Sequence, residues 1–302
     1  QVLSSAASDV YKRQMFVSGS TGAGVAEYTL STAFDVSTAS HVDTLSVSAQ
    51  DTYPKGHAFN SDGTKMFVVG LTGKDVNEYT LSTGFDVSTA SFVDSFSVSS
   101  QETAPVGITF NTDGTKMFVI GHSGADVNEY TLSTGFDVST ASYDSSFSVS
   151  SQERYPSSVT FSNDGKKMFV IGINDDEVNE YSLSTGFDVS TASFVGNFSV
   201  SPGVPAPNCL AFNNDGTKMF VGDHLGKDIN EYTLTTPFSL VDVSGEHTGD
   251  VIDTSSTSNK DSDVDGDTLT VTQIKKSGGS NSAVSSGTTN TNGTSVTGTY
   301  GV

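Results

Sequence analysis

Apolar and polar residues alternate with period two over short stretches of this chain, and turn-forming residues break the alternation at short intervals. Residues 105–151 contain one full cycle. "VGITFN" alternates and ends at "TDG", where Asp supplies a local hydrogen bond and Gly the positive φ of a tight hairpin. "KMFVIG" is a near-continuous apolar run, as expected of a strand covered on both faces. "GAD" turns the chain again and "DVNEYTL" is a third strand. After the connection "STGFDVSTAS", "SSFSVSS" is a fourth. No stretch carries helical periodicity.

The cycle recurs. The chain has five methionines, Met15, Met66, Met117, Met168 and Met219, each 51 residues from the next. Each is followed by Phe and Val. Thirteen residues after each stands a Tyr preceded by Glu: Tyr28, Tyr79, Tyr130, Tyr181 and Tyr232. Residues 66–116 and 117–167 share 36 identities in 51 positions. A fixed period of this length makes each repeat one supersecondary unit whose apolar faces are covered by its neighbours. Four antiparallel strands per unit predict an all-β chain, a β-propeller of five 51-residue blades over residues 15–240, the first blade incomplete.

The units "PVGITFNTDGTKMFVIG" and "PSSVTFSNDGKKMFVIG" resemble the YVTN and lactonase-like propeller families, whose blades share a Pro, an apolar strand, an "xxDG" turn and an aromatic strand. The chain's lack of Trp separates it from tryptophan-aspartate blades. The resemblance implies fold more than activity, because propellers host hydrolases, lectins and scaffolds alike.

Both ends read differently. Residues 4–14, "SSAASDVYKRQ", match no part of the repeat, and one back-translation of them is an adapter used in transposon-based DNA sequencing. Residues 1–14 are therefore read as translated adapter, which leaves export signals unreadable. From residue 241 to 302 the Met-Phe unit is gone. "DSDVDGDTLTVTQI" with "TGTYG" resembles the VCBS and cadherin-like Ig-type repeats of bacterial surface proteins, which implies a truncated β-sandwich and an extracellular or cell-surface location. Asp261, Asp263, Asp265 and Asp267, with Gly266, fit the opening of a calcium loop, although Thr272 replaces the bidentate Glu of an EF-hand. A bound Ca2+ in a β setting is the expectation, with a solvated acidic turn as the alternative.

Composition narrows the partners. The formal charge is -21, and Cys209 is the single cysteine, so no disulfide can form within the chain. Outside the adapter-like segment Arg154 is the only arginine. Nucleic acid is excluded, because affinity for it rests on Lys and Arg neutralising phosphates. No run reaches the roughly 18 apolar residues of a membrane span, so no direct membrane insertion is expected of this segment.

A glycan or protein ligand remains. Sites on propellers lie on loops held by rigid blades, and the copies disagree on one rim. Five residues after each Met stand Ser20, Leu71, His122, Ile173 and His224, and before the first strands the chain reads "TAPVG", "RYPSS" and "VPAPN". Leu71, His122, Ile173, His224, Arg154 and Tyr155 are the candidate binding residues. "STGFDVSTAS", on the opposite rim, is nearly fixed.

Catalysis is the competing expectation. Asp75, Asp126, Glu177 and Asp228 with His122 and His224 would have to converge on a divalent metal, as in a lactonase-like hydrolase, but acids that open strands are commonly turn formers. The repeated Glu129 is read as a blade-stabilising hydrogen-bond acceptor, Tyr130 as packing between blades, and Asp113 with Gly114 as turn formers.

Overall fold

The computed structural model describes residues 13–19, 22–201 and 203–240, with three further two-residue strands at 243–244, 273–274 and 282–283. The chain divides into two units, Gln1–Ser244 and Gly245–Val302. Asp261, Asp263, Asp265, Asp267 and most of residues 241–302, where a truncated β-sandwich was expected, lie outside the described residues; β20 (Gln273–Ile274) and β21 (Ser282–Ala283) pair with each other.

The first unit is a ring of five antiparallel sheets. Blade one holds β1 (Gln14–Gly19), β2 (Gly24–Leu30) and β3 (Ala39–Ser46). Blade two holds β4 (Pro54–Phe59), β5 (Lys65–Gly70), β6 (Asp75–Leu81) and β7 (Ala90–Ser97). Blade three repeats this as β8 (Pro105–Phe110), β9 (Lys116–Gly121), β10 (Asp126–Leu132) and β11 (Ala141–Ser148). Blade four is β12 (Pro156–Phe161), β13 (Lys167–Gly172), β14 (Glu177–Leu183) and β15 (Ala192–Ser199). Blade five is β16 (Pro207–Phe212), β17 (Lys218–Asp223), β18 (Asp228–Leu234) and the short β19 (Val243–Ser244). The first strands of successive blades lie side by side around the centre.

Met marks the register. Met117 stands opposite Phe110 on one side and Tyr130 on the other, and Met66 and Met168 repeat the arrangement. The "KMFVIG" strands are buried along both faces, as a strand between two neighbouring blades must be. The expected fourth strand differs. It starts earlier, at Ala141 rather than in "SSFSVSS", and a single 3-10 turn, Val138–Thr140, precedes it. Asp137 caps that turn by accepting from the Ser139 N–H.

Three devices fasten each blade to the next. The first is an aromatic triad: Phe67 lies 4.4 Å from Phe110 and 6.2 Å from Phe136, which is 5.4 Å from Phe110. Phe16, Phe59 and Phe85 form the equivalent triad one seam earlier, and Phe118, Phe161 and Phe187 one seam later. Such pairs contribute about 0.5–1.5 kcal/mol beyond area burial.

The second device is a charged clip. Glu129 takes Lys116 Nζ on one carboxylate oxygen and the buried Val189 N–H on the other, at 2.9 Å, while Lys116 also donates to the Phe187 carbonyl at 2.8 Å. Glu78 and Lys65 hold Val138 and Phe136 in the same way, and Glu180 and Lys167 hold Leu240 and Phe238. In blade one Gln14 replaces the lysine, donating to Glu27 and the Phe85 carbonyl at 3.3 Å each. The repeated Glu thus serves the fold, as its recurrence suggested.

The third is the repeated Tyr. Tyr130 packs edge-to-face on Phe96 of the preceding blade and on Tyr143 of its own.

Candidate functional site

The joins between second and third strands, and those leading from one blade to the next, meet on one rim. They are tied together there by a buried carboxylate. Glu102 accepts from the Ala104 N–H at 2.6 Å and from the N–H groups of Ser123 and Gly124 at 3.1 Å, so one side chain fixes both loops. Asp51 does the same through Tyr53, Thr72 and Gly73. The carboxylate lies over Gly121, where a Cβ would come within 2.4 Å of Glu102 Cγ and Cδ. Blade five inverts the pair: Val204 replaces the acid, and Asp223 replaces the glycine and accepts from Leu225 N–H at 2.9 Å. In blade four Glu153 lies over Gly172, so blades two to five each keep one carboxylate at this place, supplied from either side.

On that rim, between blades three and four, lies a hollow of about 580 Å³ lined by His122, Ser150, Ser151, Gln152, Arg154, Tyr155, Asn174 and Asp175. It brings together three of the predicted residues, His122, Arg154 and Tyr155. His122 and Tyr155 meet edge-to-face with ring centroids 6.0 Å apart. His122 Nε2 is buried and has no hydrogen-bond partner among the described residues. Burial, then the positive charge of Lys55, lowers the His122 pKa, partly opposed by Glu102. The ring is therefore neutral at pH 7 and can donate or accept one hydrogen bond. Arg154 forms no ion pair with a described residue.

Glu153, which is fully buried, accepts from Tyr155 N–H at 2.7 Å and so sets the Tyr155 backbone. Burial raises its pKa, opposed by backbone hydrogen bonds.

The other predicted residues are not gathered there. Leu71 lies on blade two, donating its N–H to the Tyr53 carbonyl, and His224 lies on blade five, separated from His122 by blade four. Ile173 is 44% exposed and borders the hollow in sequence without lining it. Asn174 and Asp175 were missed as candidates, although "INDDE" departs from "HSGAD" and "LTGKD" at the place where copies disagree.

The six candidate metal ligands, Asp75, Asp126, Glu177, Asp228, His122 and His224, are not brought together. Among the described residues no group of three His, Cys, Asp or Glu is placed to hold a metal ion. Asp75 and Asp126 instead accept from Asn77 and Asn128 two residues along their own strands.

These sheets define a five-bladed β-propeller with a polar hollow on its variable rim. No protein-family model and no curated protein matches the sequence. Among solved structures the chain is similar to a candidate 6-phosphogluconolactonase of Bacteroides uniformis, with 13% identity, 74% of this chain and 64% of that one covered, and a TM-score of 0.49. It is also similar to a functionally unknown protein of Desulfotomaculum acetoxidans (17% identity, 78% and 71% covered, TM-score 0.47). A third is the periplasmic gluconolactonase of Pseudomonas aeruginosa (15% identity, 75% and 64% covered, TM-score 0.46). The chain spans 64% of the length of the first of these, less than two thirds.

Proposed function

We propose that the propeller is a non-catalytic recognition module that binds a glycan or a protein segment in the hollow between blades three and four. The observation that carries this reading is the convergence of Arg154, His122 and the half-exposed Tyr155 on one hollow. A planar guanidinium and a half-open aromatic side chain suit a hydroxyl- and carboxylate-bearing ligand: the guanidinium fixes its orientation and the ring packs against its apolar face. Among the described residues no lining serine is hydrogen-bonded to His122, as a nucleophile paired with its base would be; Ser150 Oγ pairs with Ser148 Oγ instead.

Display outside the cell, which rests on the sequence resemblance, and calcium at Asp261, Asp263, Asp265 and Asp267, which rests on the spacing of the acids around Gly266, belong to the same reading. The chain's charge of -21 disfavours nucleic acid as partner. Among the described residues no helix is long and apolar enough to cross a membrane.

The rival reading, a lactonase-like hydrolase working at the ring centre, is separated by one experiment. Binding to arrays of glycans and immobilised peptides is compared for the wild type, Arg154→Ala and Tyr155→Ala, beside hydrolysis of sugar lactones. Retained ligand weakened about tenfold or more by either variant supports recognition. Lactone turnover that survives both variants, with no array ligand, overturns it.

A further inference from the structure

Two joins on the variable rim carry the same kind of side-chain pair, built from different positions. Tyr53 of blade two and Tyr155 of blade four are equivalents, 44% and 50% exposed, where blades three and five have Ala104 and Ala206. Each tyrosine has a base beside it in the chain. Lys55 follows Tyr53 by two residues, where the other blades have Val106, Ser157 and Asn208. Arg154 precedes Tyr155, where the others have Thr52, Thr103 and Pro205. Blades three and five form the same strands with neither member, so the fold does not require the pair.

Both pairs are held in position. Asp51 accepts from the Tyr53 N–H at 2.6 Å, as Glu153 does from that of Tyr155, and Lys55 Nζ stands 4.7 Å from the centre of the Tyr53 ring. Neither Lys55 nor Arg154 forms an ion pair with a described residue, although the chain has a charge of -21 and the clip lysines each have a glutamate. His122 joins the two pairs. Its ring meets Tyr155, its N–H donates to the Ala104 carbonyl, and the charge of Lys55 reaches it from blade two. The strand that carries Lys55 lies close against blade three: a Cβ on Gly56 would come within 2.6 Å of the Val106 carbonyl oxygen.

We propose that the rim from blade two to blade four binds an acidic glycan, a chain of uronic-acid units, with one carboxylate at Arg154 in the hollow and another at Lys55 on blade two. This rests on the recognition reading above and gives it a ligand class. The guanidinium takes a carboxylate through two parallel hydrogen bonds, and the ammonium takes another as a point charge. The half-open tyrosines offer apolar surface to the C–H faces of the sugar rings. Asp51, Glu102 and Glu153 are buried beneath the loops and direct their oxygens at backbone N–H groups. Asp175 is the exposed acid of the hollow, and it decides between a glycan and an acidic peptide. A carboxylate accepts from sugar hydroxyls, whereas it repels the side chains of an acidic peptide. The hollow, at about 580 Å³, has the size of a small-ligand site, so it takes one end of the chain and Lys55 the continuation.

The experiment measures, by calorimetry at low salt, the binding of galacturonate, glucuronate and mannuronate hexamers and dimers to the full chain. Carboxyl-reduced hexamers and a glutamate hexapeptide are run beside them. At least one uronate hexamer should bind, and its carboxyl-reduced form should bind about tenfold more weakly. Arg154→Gln should weaken hexamer and dimer alike by about tenfold, whereas Lys55→Gln should cost the hexamer about tenfold and the dimer nothing. Both variants should keep the wild-type thermal midpoint, since neither side chain has an ion-pair partner among the described residues.

Each contrary result has its own meaning. No binding by any of the three uronates, while a neutral glycan or a peptide on the arrays is still weakened by Arg154→Ala or Tyr155→Ala, overturns the acidic ligand and leaves the recognition module standing. Absence of every array ligand as well removes both. Equal binding of a uronate hexamer and the glutamate hexapeptide overturns the glycan, and a hexamer indifferent to Lys55→Gln overturns the second pair.

Discussion

Within one residue type, environment separates carboxylates that hold the ring together from those that do not. The Glu129 side chain is 1% exposed and satisfies both a lysine and a buried N–H of the next blade. Glu129→Ala strands the Val189 N–H and Lys116, so the loss should be about 2–4 kcal/mol in denaturant unfolding. Glu231 has its lysine, but its side chain is 27% exposed and among the described residues it holds no backbone N–H of blade one. Glu231→Ala should therefore cost less than about 1 kcal/mol, and equal costs would show that the clip is not what fastens the blades.

His57 is a second case. Burial against Phe16 and Phe59 lowers its pKa to about 4, although part of the residue's surface stays open. The unfolded chain takes up this proton near pH 6.5 and the fold resists it. Stability from neutral His57 is thus complete above pH 6.5 and falls as the pH drops towards 4. His57→Gln should flatten the stability profile in that window, and an NMR titration of the wild-type ring near 6.5 would contradict the burial argument.

Strands and turns show what the sequence made legible and what it hid. Met, Phe and Tyr at constant spacing, with period-two alternation, locate β9 and β10 almost to the residue, because a side-chain period of two and a hairpin turn are local properties. Asp113 accepting from the Thr115 N–H at 3.0 Å, with Gly114 at φ +73°, is the turn that "TDG" announces. The Phe136 ring closing over Gly114 was not legible. The contact joins residues 22 apart, and Phe136 holds a φ of +58°, rare for an aromatic residue.

A Cβ at Gly114 would sit 2.2 Å from that ring. Gly114→Ala should cost about 2–4 kcal/mol, from strain at positive φ and from displacing the ring. A midpoint unchanged by Gly114→Ala would remove the turn from the list of constraints. The hollow was half legible for the same reason. Divergence among copies marked the rim and picked out His122, Arg154 and Tyr155, but only the folded ring shows that His224 belongs to another blade. The shift of the acid from position 204, now Val204, to Asp223 is equally hidden, since it pairs a loop with a strand end 19 positions away.

At the scale of the whole ring, stability is a sum over seams, and the five seams are unequal. Each interior seam has an apolar cluster shared by two blades, such as Phe118, Val159, Phe161 and Tyr181 between blades three and four. Among the described residues the seam between blades five and one has the Phe34–Phe220 contact without a third ring, and a Glu231 that reaches no N–H across it. Opening there loses the least buried surface, so the ring should part at that seam first and fray inward from both sides. Hydrogen exchange followed by mass spectrometry reads this directly, because amide protection tracks the free energy of local opening. Peptides spanning β9, β10, β13 and β14 should exchange slowest, and those spanning β1, β2, β17 and β18 fastest. Phe220→Ala should leave that order unchanged. Phe118→Ala removes one corner of an interior triad and should bring blades three and four up towards the rate of the ends. Uniform protection across all five blades would mean that the ring opens as a single cooperative unit, and the inequality of the seams would then carry no weight in its dynamics.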